Sequence, residues 1–493
     1  MAENSPVRWL AVFLLGAASV LGYAPFRVFP LPLLTLAVAI AIWRSAPTPR
    51  DAAASGFAFG LGMFLAGVSW IYVSLQEFGG MPVPLAALAT LLFCCLLALY
   101  PAAAAWLAAR LRGSGFWRDS LLVAGSWTVT EWLRGWLFGG FPWLAVGYSQ
   151  SPPSPLAGFA PVVGVYGLSF LAAFIAALLA LSWKRQERMF WAAVVVLVIV
   201  SVGSGIAGWP WTTPRSEPLS VSLLQGNIEQ SLKWRPELLD RSLDTYRRLA
   251  REHPAQLVVL PETALPTTLD MLEPSYLSDL AAGKNGDALV GIVTHDQRGR
   301  YFNSAVGIGA GAEQRYHKSH LVPFGEFVPP GFAWSLALLH IPMSNFARGA
   351  KDQPPLDLAG ERVAVNICYE DAFGEEIIRV LPEATLLVNL SNVAWFGDSL
   401  APAQHLQIAQ LRALETGRYM LRATNTGKTA VVDPHGEIVA QLPTFTADAL
   451  QAEVRGYLGL TPFARWGNIP ALTFASLVLA LALWRRRATS SAR

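Results

Sequence analysis

The chain has 493 residues, of which 53% are hydrophobic and only 14% charged, with a formal net charge of +3. Soluble domains carry about 25% charged residues, so this balance points to a membrane protein. The charge is small and no basic stripe runs along the chain, so no nucleic-acid partner is expected.

Apolar runs of bilayer length recur from the N-terminus onward. They predict spans at 9–26, 29–43, 54–76, 83–108, 119–138, 162–182, 189–208 and 469–484, about eight in all. The second is short, as a tilted or re-entrant segment would be. The first continues to Tyr23-Ala24-Pro25 without a small-x-small cleavage site, so it reads as a retained span rather than a signal peptide. Basic residues mark one side of the set: Arg8, Arg44 and Arg50, then Arg110, Arg112 and Arg118, then Lys184, Arg185 and Arg188, and finally Arg485, Arg486 and Arg487. The opposite loops hold little beyond Arg27 and the stretch Gln76-Glu77-Phe78-Gly79-Gly80. By the positive-inside rule both termini are then cytoplasmic. The polar segment before the last span lies outside, in the periplasm of a bacterium with two membranes. Within the fifth span, Glu131 and Arg134 are three residues apart and share a helix face. Charges at membrane depth are costly and usually functional.

The expected organisation is a bundle of about seven spans over 1–210, a polar domain over 216–456 and a last span at 469–484. The polar segment is long enough for one sizeable α/β domain. Short runs rich in Val, Ile and Leu predict strands at 219–224, 257–260, 288–293, 302–308, 363–367, 385–390 and 430–432. Helical stretches are expected at 235–252, 375–380 and 402–415. This is the pattern of buried strands with helices on the sheet faces. Asp433-Pro434-His435-Gly436 between two apolar runs reads as a hairpin turn.

Of three cysteines, Cys94 and Cys95 sit side by side in an apolar run, which leaves Cys368 alone in the polar segment. It follows the strand-like run Val363-Ala364-Val365-Asn366-Ile367 and precedes Glu370 and Asp371. Without a disulfide partner in its domain, it is either a small buried hydrophobe or a nucleophile. Glu262 follows the run Leu257-Val258-Val259-Leu260-Pro261, and Lys318 lies in Tyr316-His317-Lys318-Ser319-His320. As bland features they are a helix cap and a surface lysine. Together with a thiol they are the parts for covalent acyl chemistry: Glu262 to take and return a proton, Lys318 to stabilise an oxyanion.

The sequence around each residue decides between these readings. Leu260-Pro261-Glu262-Thr263-Ala264-Leu265-Pro266 resembles the glutamate motif of the nitrilase, or carbon–nitrogen hydrolase, superfamily. The run from Tyr316 through Leu321-Val322-Pro323-Phe324-Gly325-Glu326 resembles its lysine motif, and Val365-Asn366-Ile367-Cys368-Tyr369-Glu370 its cysteine motif. The stretch Ser391-Asn392-Val393-Ala394-Trp395-Phe396-Gly397 is also similar to the superfamily. The resemblance implies an αββα sandwich.

A nitrilase-like domain between the seventh and eighth of eight spans resembles the apolipoprotein N-acyltransferase family of bacterial envelopes. That resemblance continues through Glu131-Trp132-Leu133-Arg134-Gly135-Trp136, Gly140-Phe141-Pro142-Trp143-Leu144 and Gln225-Gly226-Asn227. It implies a multi-pass protein of the bacterial inner membrane whose catalytic domain is periplasmic. It also implies a two-step reaction. Cys368 takes the sn-1 acyl chain of a phospholipid, typically phosphatidylethanolamine, as a thioester. The N-terminal amine of an S-diacylglyceryl-cysteine apolipoprotein then receives it. Glu262, Lys318 and Cys368 are the implied triad, with Trp234, Glu326, Tyr369 and Glu370 as supporting or substrate-binding residues. For Trp234 plain packing, and for Glu326 simple pairing with Lys318, remain open. No metal or cofactor is expected. Two rivals stand beside this reading: a membrane-tethered amidase, since water can also resolve a thioester, and a transporter with a sensing domain that has lost catalysis.

Overall fold

The computed structural model describes all residues except 1–5, 184, 216, 232, 234, 282–285, 310, 329–330, 332–344 and 492–493. Lys184 and Trp234, both named above, therefore lie outside the described residues. The chain forms two compact units. One contains Met1–Tyr72, Pro84–Trp209 and Trp466–Arg493, and the other Val73–Val83 with Pro210–Arg465.

The first unit is helical: α1 Pro6–Ser19, α2 Pro30–Ser45, α3 Pro49–Val68, α4 Val83–Leu111, α5 Phe116–Arg134, α6 Ala160–Ser182, α7 Gln186–Ile206 and a C-terminal helix Ile469–Ser491. Among the described residues, five helical segments are long and apolar enough to cross a membrane, and two apolar helices near the N-terminus are shorter. The eighth, α5, carries Arg118, Asp119, Glu131 and Arg134. These charges are partnered. Asp119 accepts from Arg44 at 2.6 Å. Buried Arg134 donates to the Phe141 carbonyl at 2.6 Å, and buried Glu131 accepts from the Val146 amide at 2.9 Å. The pair thus serves as a clamp between α5 and the irregular segment after it, where free backbone groups would otherwise lack partners. Helix α3 starts and ends earlier than the run 54–76. A capping box sets its start: Thr48 Oγ1 accepts from the Asp51 amide at 3.2 Å, while Asp51 accepts from the Thr48 amide at 3.1 Å. Hydropathy alone misses this polar first turn.

In the second unit the strands are β1 Thr213–Pro214, β2 Leu219–Gln225, β3 Leu257–Val259, β4 Leu265–Thr268, β5 Asp287–His295, β6 Tyr301–Ile308, β7 Gln314–His317, β8 Leu356–Leu358, β9 Glu361–Ile367, β10 Leu386–Ser391, β11 Met420–Thr424, β12 Ala430–Val432, β13 Ile438–Gln441, β14 Asp448–Val454 and β15 Tyr457–Leu458. One sheet runs β14-β2-β3-β5-β6-β7, with β4 beside β5; the other runs β13-β12-β11-β10-β9-β8. At the heart of each sheet three strands are parallel, β2-β3-β5 and β9-β10-β11.

The side-chain alternation of the strands builds the layers. Val221, Leu223, Val259, Val365, Ile367, Val388 and Leu421 meet in one core between the two sheets. The intervening Leu224, Val258 and Ala288 face outward to Tyr246 and Leu249 of α8 (Leu239–Glu252) and to Tyr276 and Leu280 of α9 (Pro274–Ala281). On the other sheet Ala364, Leu387 and Met420 face Leu406, Ala409 and Ala413 of α10 (Ala401–Thr416). The order of layers is helix, sheet, sheet, helix. Asp433 and Gly436 close the hairpin between β12 and β13, with Gly436 at a φ of 78°.

Candidate active site

The polar groups gather at the carboxyl ends of the parallel strands, where an open α/β sheet leaves room for a site. Cys368 is the first residue after β9 and has a φ of 54°. A left-handed non-glycine residue is uncommon, and such strain tends to persist at functional sites. Glu262 lies just past β3, followed by Thr263 at a φ of 47°. Lys318 is the residue after β7, and its amide donates to the Asn303 carbonyl of β6 at 2.8 Å.

These residues converge. The Lys318 ammonium lies 3.2 Å from Glu262 Oε1 and 2.9 Å from Glu326 Oε2. Asn303 Nδ2 bridges the same carboxylates, donating to Glu262 at 2.8 Å and to Glu326 at 2.7 Å. The amide of Asn392, past β10, donates to Glu262 Oε2 at 2.8 Å, and the amide of Val322 to Glu326 Oε2 at 2.8 Å. Lys318, Glu262 and Glu326 are all buried, while Cys368 keeps partial exposure. Glu370 is a tether. It accepts from the amides of Ser319 at 2.7 Å, His320 at 3.0 Å and Ile367 at 2.7 Å, and from the Tyr316 hydroxyl at 3.0 Å. One carboxylate thereby fastens the lysine segment to the cysteine turn. Tyr369 packs edge-on to Phe373, with ring centroids 5.0 Å apart.

The electrostatics follow from burial and pairing. Burial alone would raise the Glu262 carboxyl, but the Lys318 ammonium and the hydrogen bonds outweigh it and hold the group below its ordinary value. Burial alone would discharge Lys318, yet Glu262 and Glu326 hold it well above the usual lysine range. The Cys368 thiol is pushed well up, first by burial and then by the Glu262 charge, with Lys318 opposing. At neutral pH the site therefore holds a neutral thiol, a carboxylate ready to accept its proton, and a fixed ammonium. That arrangement suits general-base activation of a nucleophile and stabilisation of an oxyanion. Among the described residues, no group of three or more His, Cys, Asp or Glu is disposed to hold a metal.

Three contributors escape the sequence reading. Asn303 sits in β6 with no local signal. Asn392 lies in a stretch singled out only for resemblance. Lys233 is buried, and its ammonium donates to the Glu262 carbonyl at 3.4 Å. Burial lowers its pKa to about 8, against the Glu262 charge.

Comparison with known proteins bears on both units. Residues 15–178 match the apolipoprotein N-acyltransferase N-terminal domain, and residues 220–463 match the carbon–nitrogen hydrolase family. An apolipoprotein N-acyltransferase of Nitrosomonas europaea is 50% identical over 97% of this chain and 97% of its own. The chain belongs to the apolipoprotein N-acyltransferase family. Further members are 48% identical in Ralstonia nicotianae, over 97% of this chain and 94% of the relative, and 46% identical in Chromobacterium violaceum, over 98% and 96%. The chain is thus a membrane acyltransferase with a nitrilase-like α/β unit, and neither the amidase nor the transporter reading is favoured.

Proposed function

We propose that this enzyme carries the sn-1 acyl chain of a glycerophospholipid, phosphatidylethanolamine in the first instance, to the α-amine of S-diacylglyceryl-cysteine at the N-terminus of apolipoproteins. The observation that carries this reading is the Glu262–Lys318–Glu326 cluster beside the left-handed turn at Cys368.

In the first half-reaction the Cys368 proton passes to Glu262 as sulfur attacks the ester carbonyl. The tetrahedral oxyanion forms toward Lys318, and a preorganised charge there stabilises it without solvent rearrangement. Collapse breaks the ester C–O bond, Glu262 returns the proton to the departing lysophospholipid, and the acyl chain remains on sulfur. In the second half-reaction the neutral amine attacks the thioester, Glu262 accepts its proton, and expelled sulfur takes that proton back as the amide forms. Glu326 holds Lys318, and Glu370 and Tyr369 shape the cysteine turn. The polar unit, 216–456, acts from the periplasmic side of the inner membrane, a reading the one-sided arginines support.

Intact-mass spectrometry of the enzyme incubated with phospholipid alone tests this directly. A single acyl adduct should appear on Cys368, with one lysophospholipid released per adduct, and Cys368→Ser should show neither. Continued acyl transfer by Cys368→Ser would overturn the thioester route.

A further inference from the structure

Behind the cysteine turn, the sheet face toward α10 carries a buried polar row. Asn366, Asn389 and Arg422 occupy adjacent register positions on β9, β10 and β11. All three are buried, amid Ala364, Leu387 and Met420 of the same face. Asn389 Nδ2 donates to Asn366 Oδ1 at 2.6 Å and to the Cys368 carbonyl at 3.1 Å. Arg422 Nη1 donates to Asn389 Oδ1 at 2.6 Å and to Asp371 Oδ2 at 3.1 Å. From α10, His405 Nε2 lies 2.7 Å from Asp371 Oδ1 and 3.2 Å from the Cys368 carbonyl. Both of those partners are acceptors, so Nε2 carries the proton. The carbonyl of the strained residue thus receives two donors that are themselves held by a buried ion pair. Among the described residues, Arg422 Nε and Nη2 have no hydrogen-bond partner. A buried guanidinium left partly unsatisfied calls for an explanation beyond stability, because its desolvation is costly.

We propose that His405 and Arg422 are positioning residues of the acyl-transfer reaction: acting on the Cys368 carbonyl, directly and through Asn389, they lock the thiol in its left-handed turn, with Arg422 offsetting the charge of Asp371 behind it. The proposal rests on Cys368 being the nucleophile. A displacement of about 1 Å at a reacting atom is enough to cost about 10²-fold in rate. The charged groups around the thiol include Glu262, Lys318, Glu326 and Arg422, the last paired with Asp371 of the cysteine turn, and those on His405 are Asp371 and Arg422. Arg422 and Lys318 both favour the thiolate, whereas Glu262 and Glu326 oppose it.

The test uses the full-length enzyme in detergent with phosphatidylethanolamine and follows acyl-enzyme formation by intact mass. His405→Phe should slow that step by about 10²-fold while the phospholipid KM moves by about 2-fold or less, because the lost donor holds the backbone that carries the reacting sulfur and not the bound substrate. His405→Gln, which keeps a side-chain N–H, should recover most of the rate. Independently, iodoacetamide labelling of Cys368 should need higher pH in Arg422→Gln than in wild type, and wild-type pH in Arg422→Lys. Equal losses in His405→Phe and His405→Gln, a wild-type rate in His405→Phe, or an unmoved labelling profile in Arg422→Gln would overturn the proposal. If His405→Phe does not fold, the rate of His405→Gln and the two arginine variants decide the matter. Absence of any adduct on wild-type Cys368 would instead remove the thioester reading itself, so the two failures are distinct.

Discussion

In the proposed mechanism, a neutral thiol beside an ionised carboxylate makes proton transfer to Glu262 part of the first chemical step. Glu262→Gln should therefore block acyl-enzyme formation, since an amide cannot accept the proton. Lys318→Ala should lose about 10²–10³-fold, the effect of removing one oxyanion donor. Normal adduct accumulation in either variant, read by intact mass, would show the role to be misassigned. The pH profile follows from the same shifts. Glu262 is held below its ordinary 4.5, so the first half-reaction should lose rate only as pH falls through that depressed value. Lys318 is held above its ordinary 10.5, so its charge persists throughout the neutral range. Any break near pH 8 in that half-reaction belongs to Lys233 and should vanish in Lys233→Met. The second half-reaction should rise with pH as the acceptor amine, with a pKa of about 7.7–8.0, loses its proton. Single-turnover rates of the separate half-reactions would reveal the contrast, and an acid limb at or above 4.5 in the first would contradict an ionised Glu262.

Strand ends carry the site, and their legibility varied with how apolar each strand is. Runs such as Leu257-Val258-Val259 and Val363-Ala364-Val365 announce themselves, and Cys368 and Glu262 are found by following them. Strand β11, Met-Leu-Arg-Ala-Thr, is fully buried yet escapes detection, because a buried arginine breaks the hydrophobic signal. The same is true of β7, whose Gln-Arg-Tyr-His reads as loop while delivering Lys318 to the site. Asn303 bonds both Glu262 and Glu326 from an unremarkable strand, and nothing short of the tertiary pairing of β6 with β7 reveals it. The tether made by Glu370 belongs to this scale too. Glu370→Gln sets an NH2 group against buried donors and should cost about 1–3 kcal/mol. A lowered denaturation midpoint of the solubilised protein is the expected result, and an unchanged one would mean that the tether contributes nothing to stability.

For the whole molecule, the arginine pattern and the composition made the membrane character readable, whereas helix ends depended on caps that hydropathy does not register. Capping at Thr48 brings Arg50 into the first turn of α3, although the sequence pattern set it in a loop. Phe78 packs edge-on to Trp395, with centroids 5.9 Å apart, so the arginine-free turn after α3 belongs to the α/β unit. A reporter fused after the C-terminal helix should behave as cytoplasmic, and one inserted at Gly79 as periplasmic. The reverse pattern would invert the topology and overturn the periplasmic placement of 216–456.

The cluster of Glu262, Lys318 and Glu326 carries one net negative charge while the thiol is protonated. When, in the proposed mechanism, sulfur hands its proton to Glu262, the negative charge moves from carboxylate to sulfur and the total is unchanged. On acylation it moves to the oxyanion and back again. Every intermediate therefore has the same charge as the resting enzyme, so the surrounding low-dielectric interior never has to host an additional ion. The barrier is then set by where one electron pair sits among fixed dipoles, and it should respond only weakly to the ionic strength of the medium outside.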